Sequence, residues 1–178
     1  MSDVWDEMDG VADRVEREVR REQQVAEADA RQLHLASRAL VDVAWEAMQS
    51  GHRIRLLWNG GEVADVPIAA VGDLVVMRTD DGAVGIHVPT LSSVEVSGER
   101  RDGGSAGDRT VESFKGWCRM IEARAVRVSL LGGSVVEGSL TVVASDHLLL
   151  KNRNGHDVAV ATSQVAAISV GGDPFLSL

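Results

Sequence analysis

Ala44-Trp45-Glu46-Ala47-Met48, followed by Arg53-Ile54-Arg55-Leu56 and the turn Gly60-Gly61, is met again 72 positions further on. There Gly116-Trp117-Cys118-Arg119-Met120 leads into Val126-Arg127-Val128 and Gly132-Gly133. Tryptophan, methionine, the first strand and the double glycine recur at one offset. A repeat of this length signals two copies of one folding unit.

Each copy reads as a helix followed by five short strands. In the first, period-two alternation and β-rich runs mark strands at 53–58, 62–71, 74–78, 83–88 and 93–96. Asn59-Gly60-Gly61 and Asp80-Asp81-Gly82 supply hairpin turns. In the second, a helix at 110–124, capped by Asp108 or Thr110, precedes strands at 125–131, 134–143, 147–151, 157–161 and 166–170. Asn154-Gly155 is its strongest turn signal. The glycine-rich stretch 97–109 reads as a linker, with no large apolar residue to hold it.

Residues 3–49 read as helix. Val4, Met8, Val11, Val15 and Val19 form one narrow apolar stripe on a charged rod, the pattern of a coiled-coil seam or a docking face. Leu33, Ser37, Leu40, Ala44 and Met48 form a second stripe. The expected fold class is therefore α+β: two tandem helix-plus-five-stranded small barrels behind an N-terminal amphipathic extension. The expected divisions are 1–30 for the extension, 31–97 for the first unit, 98–109 for the linker and 110–178 for the second unit.

The net charge is −9, and residues 1–50 hold twelve acids against six arginines. An acidic chain repels phosphate backbones unless it segregates a basic face, and none is legible. One cysteine, Cys118, leaves no disulfide framework. The acidic start, Asp3, Asp6 and Glu7, lacks a signal peptide's basic region, so a cytoplasmic location is expected.

The second copy resembles the Sm-like small-barrel family, bacterial Hfq above all. Val126 to Leu140 looks like the family's first motif, Asp146 to Asn152 like its third strand, and Val158-Ala159-Val160 with Val165 to Val170 like the last two. The resemblance implies an SH3-like barrel that associates through its outer strands, and an RNA-binding surface. The pocket residues depart from that pattern. His147 stands where Hfq has its stacking aromatic, and Thr162-Ser163 where it has Lys-His. The first copy offers Leu74, Val88 and Pro89, and Val66-Pro67 where the first motif has glycine. The overall layout also resembles actinobacterial proteins of similar length, some bearing the name of Fis-type transcriptional regulators. No recognition helix follows the last helix here.

No nucleophile elbow, phosphate-binding loop or dinucleotide motif occurs, and the five histidines lack metal-ligand spacing. Cys118 reads as a buried structural thiol. Neither enzyme activity, cofactor nor metal is expected. Trp45 and Trp117 are expected to anchor each helix on its own barrel. Trp5 and Trp58 lack that role, so the candidate protein-contact residues are Val4, Trp5, Met8, Val11, Val15 and Trp58. The weaker nucleic-acid candidates are His147, Lys151 and Arg153. The expected function is that of a non-enzymatic adaptor working through protein contacts, with a regulator attached to transcription or RNA machinery as one form of it, and with self-association through barrel edges. The alternative is an Hfq-like RNA binder, and a remote alternative is an enzyme of unknown type.

Overall fold

The structure, a computed structural model, describes residues 18–30, 32–33, 37–100 and 111–172. The candidates Val4, Trp5, Met8, Val11 and Val15 and most of the expected linker lie outside these residues. The chain forms two compact units, 1–38 and 39–178. In the first, α1 (residues 18–30) is helical, and its Val19 and Val25 are exposed.

The second unit is α+β. Its helices are α2 (Leu40–Ser50) and α3 (Phe114–Met120). The first half has strands β1 (His52–Trp58), β2 (Gly61–Asp65), β3 (Pro67–Val71), β4 (Leu74–Thr79), β5 (Gly82–His87) and β6 (Leu91–Arg100). The second half has β7 (Ala125–Leu130), β8 (Val135–Val143), β9 (His147–Lys151), β10 (Asp157–Ala161) and β11 (Val165–Gly171). All pairings between them are antiparallel.

Local chemistry sets the helix ends. Ala39 has no side chain with which to cap α2, but Asp42 reaches back to accept from its N–H at 2.9 Å, half of a capping box. Gly51, at φ 70°, ends the helix in the left-handed conformation that side chains disfavour. Ser113, rather than Asp108 or Thr110, caps α3, accepting from the Gly116 N–H at 3.1 Å. The helix is correspondingly shorter than the expected 110–124.

Three expectations are corrected. The strand expected at 62–71 is broken, because Pro67 has no N–H for a ladder and Val66 N–H turns to its neighbour Asp65. In the second half β8 runs unbroken past Gly138, where a Cβ would press on the Lys151 carbonyl, and shifts register between Leu140 and Val142. The register aligns Gly138, opposite Val126, with Asp65, opposite Ile54, rather than with Val66. Next, β6 runs to Arg100, past the strand end expected at 96. Third, the strands make no closed barrel: they form a three-stranded sheet, β2-β1-β6, and an eight-stranded one, β10-β9-β8-β7-β11-β5-β4-β3.

The two halves pair with each other. The two halves share a sheet, joined where β11 pairs with β5 from Ala167 opposite Ile86 to Gly171 opposite Gly82. They also share a core. Leu74, Val76 and Ala83 of the first half cluster with Phe114, Trp117, Cys118 and Ile121 around α3. Ala167 of the second half joins the cluster of Ala44, Ile54, Leu56 and Ile86. The apolar residues at alternate strand positions thus close over one another across the join.

Candidate functional site

The join between the halves is the most differentiated surface of the second unit. Asp73 accepts the Phe114 N–H at 2.8 Å, so the first half satisfies a free donor at the start of α3. Phe114 in turn stacks on His87, with ring centroids 4.8 Å apart. The Asn59 amide donates to the Leu131 carbonyl, tying the two Gly-Gly turns together. Gly172 N–H donates to Asp81 O at 2.8 Å where the ladder ends. Gly85 lies against the indole of Trp117, and a Cβ there would clash with its Nε1 and Cδ1.

A groove of about 580 Å³ lies between the β4–β5 turn, the ends of β7, β9 and β11 and the middle of β8. Arg127, Lys151 and Arg153 line it, with the acids Asp81 and Glu137 among them. A smaller hollow of about 210 Å³ shares Thr79, Arg127 and Ser169 with the groove and has Trp58 in its wall.

The structure brings Lys151 and Arg153 together in this groove, but not His147, which starts β9 at its opposite end. Both basic groups are neutralised locally. Lys151 pairs with Asp157 at 3.4 Å, and Arg153 with Glu137 at 2.8 Å. His147 hydrogen-bonds Asp146 at 2.8 Å, and that bond holds the exposed Asp146 carboxyl below the usual carboxylate range. Such exposed pairs are worth little to stability.

Arg127 is the basic residue that sequence reasoning missed. Its counterpart in the first half, Arg55, is held by Glu62 at 2.5 Å and Glu95 at 3.9 Å. Matching the strand registers puts Val135 and Ser169 in the places of those two acids. Arg127 is exposed on β7 and has no ion pair or hydrogen bond among the described residues. The signal was present in the repeat itself, once the copies are aligned by strand pairing instead of by a single offset.

Trp58 ends β1, half-buried against the core of the first half, with its ring against Gly61. Its buried indole N–H has no hydrogen-bond partner among the described residues. The expected equivalence of Trp45 and Trp117 is also corrected. Trp117 is fully buried, whereas Trp45 is 49% exposed. The reason is positional: α3 packs on β8 and also on β5 and β4 of the other half, while α2 packs on its own β3, β1, β6 and β4.

Burial pushes the Cys118 thiol up to about 12, mainly by desolvation. A thiol so held is about one part in ten thousand thiolate at pH 8, and the thiolate is the reactive form. Iodoacetamide is therefore expected to leave the native protein unlabelled and to modify it promptly in denaturant, as read by intact mass. Rapid labelling of the folded chain would contradict this burial.

No group of three or more potential metal ligands clusters among the described residues. No described helix is long and apolar enough to cross a membrane. No protein-family model matches the chain, and the search of curated proteins gives no match.

Proposed function

We propose that this chain is a non-enzymatic cytoplasmic binding protein, an adaptor built from two Sm-like units fused edge to edge. The strand order supports the Sm-like reading. In each half the last strand pairs with the first, the first with a bent second, and the third and fourth follow. The observation that carries the adaptor reading is the pair of outer strands. Among the described residues β6 pairs only with β1, and β10 only with β9. Unpaired strand edges offer backbone donors and acceptors to another polypeptide. Val96, 51% exposed on β6, adds an apolar contact. The N-terminal stripe of Val4, Trp5, Met8, Val11 and Val15 supplies a second docking element in this reading.

RNA binding is the competing reading, and the unpaired Arg127 in a groove with Lys151 and Arg153 favours it. The acids at Asp81, Glu137 and Asp157 oppose it by neutralising the same face. Affinity purification of the tagged chain from its host, with and without nuclease, separates the two. Protein partners retained after nuclease, and lost from a chain lacking residues 1–30 or carrying Val96→Lys, are expected. Nuclease-sensitive recovery, with RNA affinity falling steeply with salt, would overturn the adaptor reading in favour of the RNA binder.

A further inference from the structure

The groove beside the β4–β5 turn holds two charges of opposite sign that find no partner. Arg127, exposed on β7, lacks the acids that hold its counterpart Arg55, because Val135 and Ser169 stand in the places of Glu62 and Glu95. Asp81 is exposed in the turn ahead of β5. Its backbone carbonyl accepts the Gly172 N–H, but no ion pair or hydrogen bond joins its carboxylate to another described residue. Both residues line the groove, and they do not pair with each other. The other charges in the lining are already paired, Lys151 with Asp157 and Arg153 with Glu137.

Strand order keeps the two free charges apart. Strand β11 lies between β7 and β5. Arg127 sits opposite Ser169 on one side of β11, and Gly82, next after Asp81, sits opposite Gly171 on the other. Two strand spacings separate their backbones, about 10 Å, and the offset along β11 adds about 7 Å in the other direction. The diagonal, about 12 Å, exceeds the reach of a single small zwitterion and matches three or four residues of extended chain at about 3.3 Å each.

A lone arginine would take a phosphate as readily as a carboxylate, and the free Asp81 decides between them. A nucleic-acid backbone carries negative charge at every step, and Asp81 would repel it. A segment with one acidic and one basic residue satisfies both groups. We infer that the groove receives a peptide segment of a partner protein, with an acidic residue on Arg127 and a basic residue on Asp81. Arg55 shows the acidic half of the contact within this chain, since its guanidinium takes glutamate carboxylates from both neighbouring strands. Thr79, Ser139 and Ser169 also line the groove, and their hydroxyls are free of hydrogen bonds to described residues. Each can donate to or accept from the peptide backbone between the two charges. The inference rests on the adaptor reading and names the chemistry of one of its partners. Both charges are exposed, so the contact is weak and salt-sensitive, and it selects a partner more than it holds one.

Fluorescence anisotropy on the full chain tests it. The probes are labelled alanine-serine peptides that hold one glutamate and one lysine about three or four positions apart. The wild type is expected to bind at least one of them at millimolar concentration or below. Replacing the peptide's glutamate by glutamine should weaken binding about tenfold, the scale of one charge-assisted hydrogen bond. Arg127→Gln should bind the glutamate and glutamine peptides alike, and Asp81→Asn should cease to distinguish lysine from alanine. Val135→Glu restores beside Arg127 the acid that Arg55 has, and should weaken binding as Arg127→Gln does. All three positions are exposed, so circular dichroism melts of the variants should match the wild type. Failure of every probe at millimolar concentration would overturn the inference, as would binding that the variants leave unchanged. Oligouridine binding that Arg127→Gln abolishes and Asp81→Asn strengthens would overturn it together with the adaptor reading, in favour of RNA. Inert peptides, with protein partners still retained after nuclease, would reject the groove alone and leave the adaptor reading standing.

Discussion

Trp117→Ala is expected to cost about 3–5 kcal/mol of unfolding free energy, as truncation of a fully buried aromatic side chain does. The indole is inaccessible to solvent and sits in the cluster that joins the halves. Its removal opens a void between α3 and β5 that the sheet cannot collapse to fill, because β5 is pinned on one side by β4 and on the other by β11. Domains of this kind are stable by only about 5–15 kcal/mol in total, so the variant should melt far below the wild type or fail to fold at ambient temperature. Trp45→Ala, at the matching position of the repeat, should cost about 1 kcal/mol or less, in line with exposed sites. Urea titrations of the two variants, compared at one protein concentration, read the difference. Similar losses at both positions would mean that the halves bury their tryptophans alike, contrary to the arrangement described.

The contrast between these residues also marks the limit of what the sequence discloses. The repeat, the helix-then-strands order of each copy and most strand positions follow from local signals: period-two alternation, Asn-Gly turns and the recurrence of Trp and Gly-Gly. Apart from the recurrence, which spans 72 positions, those signals act within about ten residues of one another. What they omit is where a strand finds its outer neighbour, which depends on residues far apart in the chain. Hence Trp45 and Trp117 read alike although only one has the other half's strand across it. Cys118 did read as buried, because its helix face is apolar at every turn. Lys151 and Arg153 were legible as a basic strand end, but their neutralisation by Asp157 and Glu137 arises only once β8, β9 and β10 are side by side. Arg127 was passed over because a single basic residue in a strand carries no local signal. Its lack of a partner emerges only by comparison with Arg55, whose two acids come from different strands.

Gly85→Ala isolates the seat of Trp117 without touching the indole. Its Cβ would clash with Nε1 and Cδ1 of an indole that is fully buried. Overpacking of this sort costs about 1–3 kcal/mol or more, as rotamers and backbone shift to relieve it. The reverse change on β10, Ala159→Gly, at the position that strand pairing matches with Gly85, meets no such obstacle and should cost about 0.5–1 kcal/mol, the ordinary penalty for glycine in an element interior. The two effects on the seat must be coupled. In a Trp117→Ala background the methyl of Gly85→Ala enters the void left by the indole, so the clash disappears and part of the lost packing returns. The double variant should then be less destabilised than the sum of the singles by about 1–3 kcal/mol, the range seen for residues in direct contact. Additive losses would show that Gly85 and Trp117 do not touch, contrary to the close approach seen here.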